Sequence, residues 1–343
     1  LSILKPLKGA EPSLESNLES FFKAETAIPF ELLFSIESTR DTAYPLLTRL
    51  IWKYPEINSR VFILEQSKLT PPSGKNPKLK NVNESFENAR YDAILISDSN
   101  VLLKKGELEA LISELDEETG IVTAIVSATS FRGLGGALES VFLGTFYARF
   151  MALCNRFAKP CVVGKAMLFR KSQSERFGGL RLLSEFLAED FMAGESMRKL
   201  GLKVKTSCVP VTQILGNYSF GTFWARHVRW GRIRKSHAPL AFFVEPIFGS
   251  LPMGLIGAYG LQTGFSLPFG LGLLGSWMFL CILDGLCYLR TTECSVLFTL
   301  GFPVFWTIRE VLALPLWIKI ASGNGIDWRG NRFTLAPGGL LRD

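Results

Sequence analysis

The chain has 343 residues, 48% of them hydrophobic, with 38 Lys+Arg against 31 Asp+Glu and a formal net charge of +7. That length exceeds one small domain and suits a soluble domain of roughly 200–250 residues followed by a membrane portion. The basic excess forms no stripe of interleaved aromatic and basic residues on a recognised nucleic-acid module, so no nucleic-acid partner is expected. None of the 6 cysteines forms a Cys-x-x-Cys pair, which argues against a zinc site or a disulfide framework and fits a reducing compartment. The 2 histidines, His227 and His237, are too few for a histidine-based metal site.

In chain order, Leu1–Leu4 reads as a short buried strand and Lys5–Gly9 as the loop that leaves it. No signal peptide is visible, and the start inside a strand leaves a preceding N-terminal anchor open. Leu14, Leu18, Phe21 and Phe22 recur at helical spacing and predict a helix over 13–23. A strand over Phe30–Ile36, a helix over Thr42–Tyr54 and a strand over Arg60–Leu64 follow. Thr70–Lys80 reads as a loop from its Pro and Gly density, then a helix over Asn81–Ala89. The nearly continuous apolar run 91–97 reads as a strand buried on both faces. This alternation predicts an α/β class with a mostly parallel sheet and helices on both faces. Ligands of such sheets sit beyond the carboxyl ends of the strands, which directs attention to Lys5–Gly9, Glu37–Asp41 and Asp98–Asn100.

Residues 203–214 read as one or two further strands. An amphipathic helix, Phe220–Arg234, then carries Phe223, Trp224 and Trp230 among Arg226, Arg229, Arg232 and Arg234, with Lys235 next to it. Basic residues flanking apolar segments usually mark the cytoplasmic side. Three apolar stretches follow, 240–261, 265–289 and 296–320, each long enough to span a bilayer. Glu245, Asp284, Arg309 and Glu310 interrupt them, and ionisable groups at such depth face protein or water. Three full spans would set Arg329 and Arg332 opposite the 226–235 cluster, so "membrane-embedded" describes this portion better than a number of passes. The organisation expected is a sheet domain over 1–219, an interfacial helix over 220–237, membrane-embedded helices over 238–321 and a basic tail over 322–343.

Several short motifs could carry chemistry, each beside a plainer reading. Asp98-Ser99-Asn100 could hold a divalent cation together with a nucleotide diphosphate, or be a turn. Glu189-Asp190, at the start of a helix running to Leu200, suits the helix dipole and equally a general base. Arg226-x-x-Arg229-Trp230 could lie on lipid headgroups, grip a diphosphate with guanidinium donors, or do both. Trp230 could stack on an acceptor or belong to the interfacial belt. The loop Lys75-Asn76-Pro77-Lys78-x-Lys80-Asn81 is a solvated charged loop or a phosphate contact. Gly164, Gly178 and Gly179 read as turn residues.

Taken in order, these motifs resemble the ceramide glucosyltransferase family, within the inverting GT-A glycosyltransferases. The opening Leu1–Gly9, Asn76-Pro77-Lys78 with Asn81, Asp98-Ser99, Cys161-Val162-x-Gly164, Glu189-Asp190 and Arg226-x-x-Arg229-Trp230 all match. So do Trp306-x-Ile308-Arg309-Glu310 and Trp328-Arg329-Gly330. The resemblance implies a GT-A domain, a UDP-sugar donor, Mg2+ or Mn2+, a lipid alcohol acceptor, and an integral membrane protein with its catalytic domain cytoplasmic. It implies Asp98 for donor and metal, Asp190 as general base paired with Glu189, and Arg226, Arg229 and Trp230 for the diphosphate and the acceptor end. Lys78 falls on the donor side. The family's first Asp falls at Ser38, with Glu37 and Asp41 as the nearest carboxylates and Glu37 as the donor-side candidate. Tyr147 stands on the acceptor side, where animal members carry His. The implied reaction is transfer of glucose to the primary hydroxyl of ceramide with inversion. N-acetylglucosamine or another sugar, a hopanoid or another lipid, and a non-catalytic relative are the alternatives.

Overall fold

The computed structural model describes residues 1–11, 13–157, 160–293, 295–328, 331–335, 337–339 and 341–342. Cys294 and the Arg329-Gly330 part of the C-terminal motif lie outside the described residues. The chain divides into two compact units: Leu1–Ala128 with Ala148–Gly216, and Thr129–Tyr147 with Asn217–Asp343.

In the first unit, β1 (Ser2–Pro6), α1 (Leu14–Phe22), β2 (Glu31–Ile36), α2 (Tyr44–Lys53), β3 (Ser59–Ile63), α3 (Pro77–Glu87) and β4 (Ala93–Ile96) alternate as the hydrophobic spacing predicts. β1 pairs in parallel with β2 and with β4, and β2 with β3. All six residues of β2 are buried. The chain continues through β5 (Val101–Leu102), α4 (Glu107–Ser113), β6 (Thr119–Arg132), α5 (Leu134–Phe142), a π-helical stretch (Leu143–Tyr147) and α6 (Ala148–Phe157). Then come β7 (Met167–Arg170), α7 (Lys171–Glu175), α8 (Gly179–Leu183), α9 (Glu189–Lys199) and β8 (Lys203–Asn217). The sheet order is β3-β2-β1-β4-β7-β6-β8-β5. β7 is antiparallel to β4 and β6, and β5 to β8. Because β2 and β3 lie on one side of β1 and β4 on the other, the carboxyl ends of β1 and β4 form the switch point where such sheets take ligands.

Helix α3 starts four residues before its expected position. The Asn76 side chain accepts hydrogen bonds from the backbone N–H groups of Lys78 (2.9 Å) and Leu79 (3.3 Å). Pro77 follows in the first turn, where its missing N–H costs nothing. The Pro-rich stretch therefore ends as a helix start, and it fixes where Lys78 stands.

The second unit contains α5, α10 (Phe220–His237), α11 (Pro239–Val244), a 3-10 turn (Glu245–Phe248), α12 (Ser250–Phe265), α13 (Phe269–Thr291) and α14 (Val296–Ala321). A small antiparallel sheet closes the chain, ordered β11-β10-β9, with β9 at Gly325–Trp328, β10 at Asn331–Leu335 and β11 at Leu341–Arg342. Residues 129–147 thus belong with the apolar helices, although the sequence suggests a single boundary near residue 219. Every residue of α5 from Gly135 to Phe142 is buried, and α5 packs on α10 and α14. Its own residues read like any core helix, so nothing local reveals which core it joins.

Among the described residues, two helices are long and apolar enough to cross a membrane, Leu134–Arg156 and Phe269–Thr291. The first is mostly covered by protein and the second mostly is not. The stretch expected as one apolar span over 240–261 is a pair of helices bent by 49°. At the break, the Ser250 N–H donates to the buried Glu310 carboxylate (3.0 Å). The Lys235 ammonium donates to the carbonyls of Ile320 (3.3 Å), Ala321 (3.0 Å) and Gly323 (2.8 Å), satisfying the C-terminal end of α14.

One buried carboxylate ties the first three strands to the segment before β4. Glu31 accepts from Ser2 Oγ (2.7 Å), the Arg90 N–H (2.7 Å) and the Arg60 guanidinium (2.9 Å). Glu31→Gln is expected to lower stability by about 1–3 kcal/mol, the range for leaving buried partners unsatisfied. A fall in the thermal unfolding midpoint of the purified full chain checks it.

Candidate active site

Just beyond β4, Asp98 meets lysines from three elements. Lys5, the penultimate residue of β1, is fully buried with its ammonium 3.7 Å from the centre of the Phe21 ring. It donates to the Asp98 carbonyl (2.8 Å) and to Ser97 Oγ (3.2 Å). Lys78, in the first turn of α3, is 2.9 Å from Asp98 Oδ1 and 2.9 Å from Glu189 Oε1. Lys165, in the segment before β7, is 3.3 Å from Asp98 Oδ2 and also donates to the Asn100 side chain.

Helix α9 opens on Glu189 and Asp190. Asn76 Nδ2 donates to Glu189 Oε2 (3.1 Å) and to the Phe186 carbonyl (2.9 Å), so the residue that caps α3 also holds the start of α9. Asp190 Oδ2 accepts from the Gly164 N–H (3.0 Å), and Oδ1 accepts from the Phe191 N–H (2.8 Å). A Cβ at position 164 would lie 2.9 Å from Lys78 Nζ and 3.6 Å from Asp190 Oδ2. Gly164 is therefore more than a turn residue: its missing side chain leaves the space that the ammonium fills.

The charges shift one another. Burial pushes the Asp98 carboxyl up, but Lys78 and then Lys165 outweigh burial and hold it well below the usual carboxylate range. Burial pulls Lys78 down, and Asp98 and Glu189 more than offset it, keeping Lys78 firmly charged. Burial lowers Lys5 well below the usual lysine range, with Asp98 opposing only in part. Asp190 is pushed up to about 7, first by burial and second by the Glu189 charge, against the pull of Lys78 and the two backbone N–H groups.

All six oxygens of these three carboxylates already accept from lysine, amide or backbone donors. Among the described residues no group of three His, Cys, Asp or Glu is placed to hold a metal ion. A resident Mg2+ or Mn2+, which needs near-octahedral oxygen ligation, does not fit this arrangement.

At the end of β2, Ser38 is buried. Glu37 is exposed and pairs with Lys8 (3.2 Å). Asp41 serves the backbone, accepting from the N–H groups of Gly9 (2.9 Å) and Ala43 (2.8 Å). The carboxylate beside Ser38 is instead Glu65, just after β3. Its pKa is lowered first by a hydrogen bond from Ser38 and then by Arg40, whose guanidinium lies 2.9 Å away. The sequence reading missed Glu65, as it missed Lys5 and Lys165 as partners of Asp98. Looking beyond the end of β3 as well as β1, β2 and β4 would have found it.

In the second unit, α10 carries Arg226, Arg229 and Trp230. The Arg226 guanidinium sits 4.1 Å over the Trp230 ring, and its Nε is 3.4 Å from Glu139 Oε1. His227 Nε2 is 2.9 Å from Glu139 Oε2. Burial lowers the His227 pKa, with Glu139 opposing in part. Glu139, fully buried on α5, is a further residue the motifs did not suggest. Tyr147 lies 6.0 Å from Trp230, ring centre to ring centre. Arg229 is half-buried on the same helix. Arg234 pairs with Glu245 (2.8 Å), and Arg232 donates to the Gly325 carbonyl. The basic cluster is thus largely engaged inside the fold. A cavity of about 60 Å³ beside His227 and Trp230 has room for a few waters.

The family described as Glycosyl transferase family 21 matches residues 1–341. The chain is 32% identical to ceramide glucosyltransferase 1 of Caenorhabditis elegans over 100% of its own length and 73% of that protein. It is 27% identical to the ceramide glucosyltransferase of Komagataella phaffii, over 98% of this chain and 82% of that one. Among solved structures, a mannosyltransferase of Pyrobaculum calidifontis in complex with GDP-Man and Mn2+ superposes with a TM-score of 0.51 at 16% identity, covering 94% of this chain and 85% of that one. At that identity the likeness shows the fold alone, which is of the GT-A type.

Gly164→Ala is expected to push the flexible end of Lys78 aside without changing the backbone. The unfolding midpoint should move by no more than about 1–2 °C, the shift that roughly 1 kcal/mol produces in a chain of 343 residues. Any transfer activity should fall at least about tenfold. Thermal melting and an activity assay on the same preparation check the two halves separately.

Proposed function

The chain belongs to glycosyl transferase family 21, and from that premise we propose that it moves glucose from UDP-glucose to the primary hydroxyl of a membrane lipid such as ceramide, with inversion at the anomeric carbon. The observation that carries this reading is Asp190. It is a half-buried carboxylate at a helix start, raised to about 7 and set beside the charged Asp98–Lys78–Glu189 cluster at the switch point of the sheet. A proton acceptor works best with a pKa near the working pH, and environments that combine burial with a like-charged neighbour are where such groups are found.

In the proposed step, Asp190 takes the proton from the lipid hydroxyl as that oxygen attacks the anomeric carbon. The bond to the diphosphate oxygen breaks on the opposite face, and UDP leaves with the electron pair. Glu189 raises the pKa of Asp190 and remains paired with Lys78. Lys78 and Lys165 bring positive charge to the place where ligands of this sheet type sit, which favours the departing diphosphate. The roles proposed for Arg226, Arg229 and Trp230 are diphosphate and acceptor contacts, as the sequence signature implies, with Tyr147 beside Trp230 on the acceptor side. Mg2+ or Mn2+ enters this reading only as a companion of the donor's phosphates. The donor-binding unit is proposed to face the cytoplasm.

A second reading keeps the reaction and changes the donor or lipid, for example N-acetylglucosamine or a hopanoid. Ser38 standing where the family has an acid, with Glu65 supplying the nearby carboxylate, favours it at the nucleotide end.

The test is a transfer assay on the full chain in lipid bilayers, with a panel of UDP-sugars against ceramide and hopanoid acceptors. Turnover of UDP-glucose with ceramide supports the first reading, and turnover only of another pair replaces it with the second. Asp190→Asn should lower kcat by about 10²–10⁴-fold, the usual contribution of a general base. Undiminished transfer by that variant would remove Asp190 from the mechanism. Because the carboxylate must be deprotonated to accept, kcat/KM should rise with pH and reach half its plateau near pH 7.

A further inference from the structure

We propose that Lys78 is the resident counter-ion of the Asp98–Glu189 carboxylate pair, so that the protein without donor holds no divalent cation at this site. The ammonium lies 2.9 Å from an oxygen of each carboxylate, which is where a bridging cation would stand. Its place is built by its surroundings. Asn76 caps α3, which sets the base of the Lys78 side chain, and the same amide holds Glu189. Gly164 supplies the space for the ammonium, since any Cβ there would press on it. The side chains of Lys78 and Glu189 are only 14% and 8% exposed, so solvent ions compete poorly for the pair.

A divalent cation entering between these carboxylates would have to expel Lys78. It would also lie next to Lys165, which is 3.3 Å from the other oxygen of Asp98. The remaining carboxylate, Asp190, already accepts from two backbone N–H groups. Magnesium-like ions require several oxygen ligands at short range and give up water reluctantly. A tethered ammonium that needs no such dehydration has the advantage until phosphate oxygens arrive.

This inference refines the site of the proposed transferase, but its test uses no nucleotide, sugar or lipid, so it stands or falls separately from the transfer reaction. Mn2+ is titrated into the purified full chain in detergent and followed by electron paramagnetic resonance. The wild type should take up no Mn2+ below millimolar concentration. Lys78→Met should bind one Mn2+ at least tenfold more tightly than the wild type, whereas Lys78→Arg, which keeps a cation in place, should behave like the wild type. Thermal melting shows which variants are folded, and Lys78→Gln substitutes for Lys78→Met should the latter not fold. One Mn2+ bound by the wild type at micromolar concentration overturns the proposal. So does an unchanged Mn2+ affinity in the folded Lys78→Met or Lys78→Gln variant.

Discussion

The Lys78 ammonium, held between Asp98 after β4 and Glu189 at the start of α9, is the contact on which the first unit's polar centre depends. Charges removed from water are tolerated only when paired and hydrogen-bonded. Here each partner is satisfied by another: Asp98 by Lys165 as well, and Glu189 by Asn76. Taking one member out of such a buried set leaves an uncompensated charge, which typically costs about 3–5 kcal/mol. The cluster therefore behaves as a unit, and the elevated pKa of Asp190 follows first from its burial and second from the neighbouring Glu189 charge, with Lys78 opposing.

Much of the first unit is legible in the sequence because local patterns and tertiary needs agree. The alternation of strands with amphipathic helices gives the parallel half of the sheet, and the apolar run before Asp98 marks its central strand. Glu189 and Asp190 fall at a helix start, where carboxylates are locally favoured as well. Legibility fails where a residue's role is set by a partner far along the chain. Lys5 reads as a loop residue and is buried against a carbonyl 93 positions away. Lys165 carries no local signal at all. The Pro-rich loop conceals a helix start, because Asn76 and Pro77 serve equally well in turns and caps.

The second unit is less legible for a related reason. Hydropathy finds its apolar stretches but cannot distinguish a helix covered by protein from one facing lipid. Leu134–Arg156, which the sequence reading did not single out and of which only the part to Tyr147 belongs to this unit, and Phe269–Thr291 pass the same compositional test and differ in burial. Glu139 is hidden in a run of small and apolar residues, yet it organises Arg226 and His227 on α10. The basic residues that look like a membrane-surface patch are, for the most part, ties within the unit.

The Lys235 contacts with the end of α14 join residues 85–88 positions apart. During synthesis, α10 emerges long before its acceptor carbonyls exist. The helix bearing Arg226 and Trp230 cannot acquire this anchor until α14 has been completed. Chains that stop before residue 320 would carry the first unit yet lack this lock, so the finished state of the motif-bearing helix waits on the synthesis of α14.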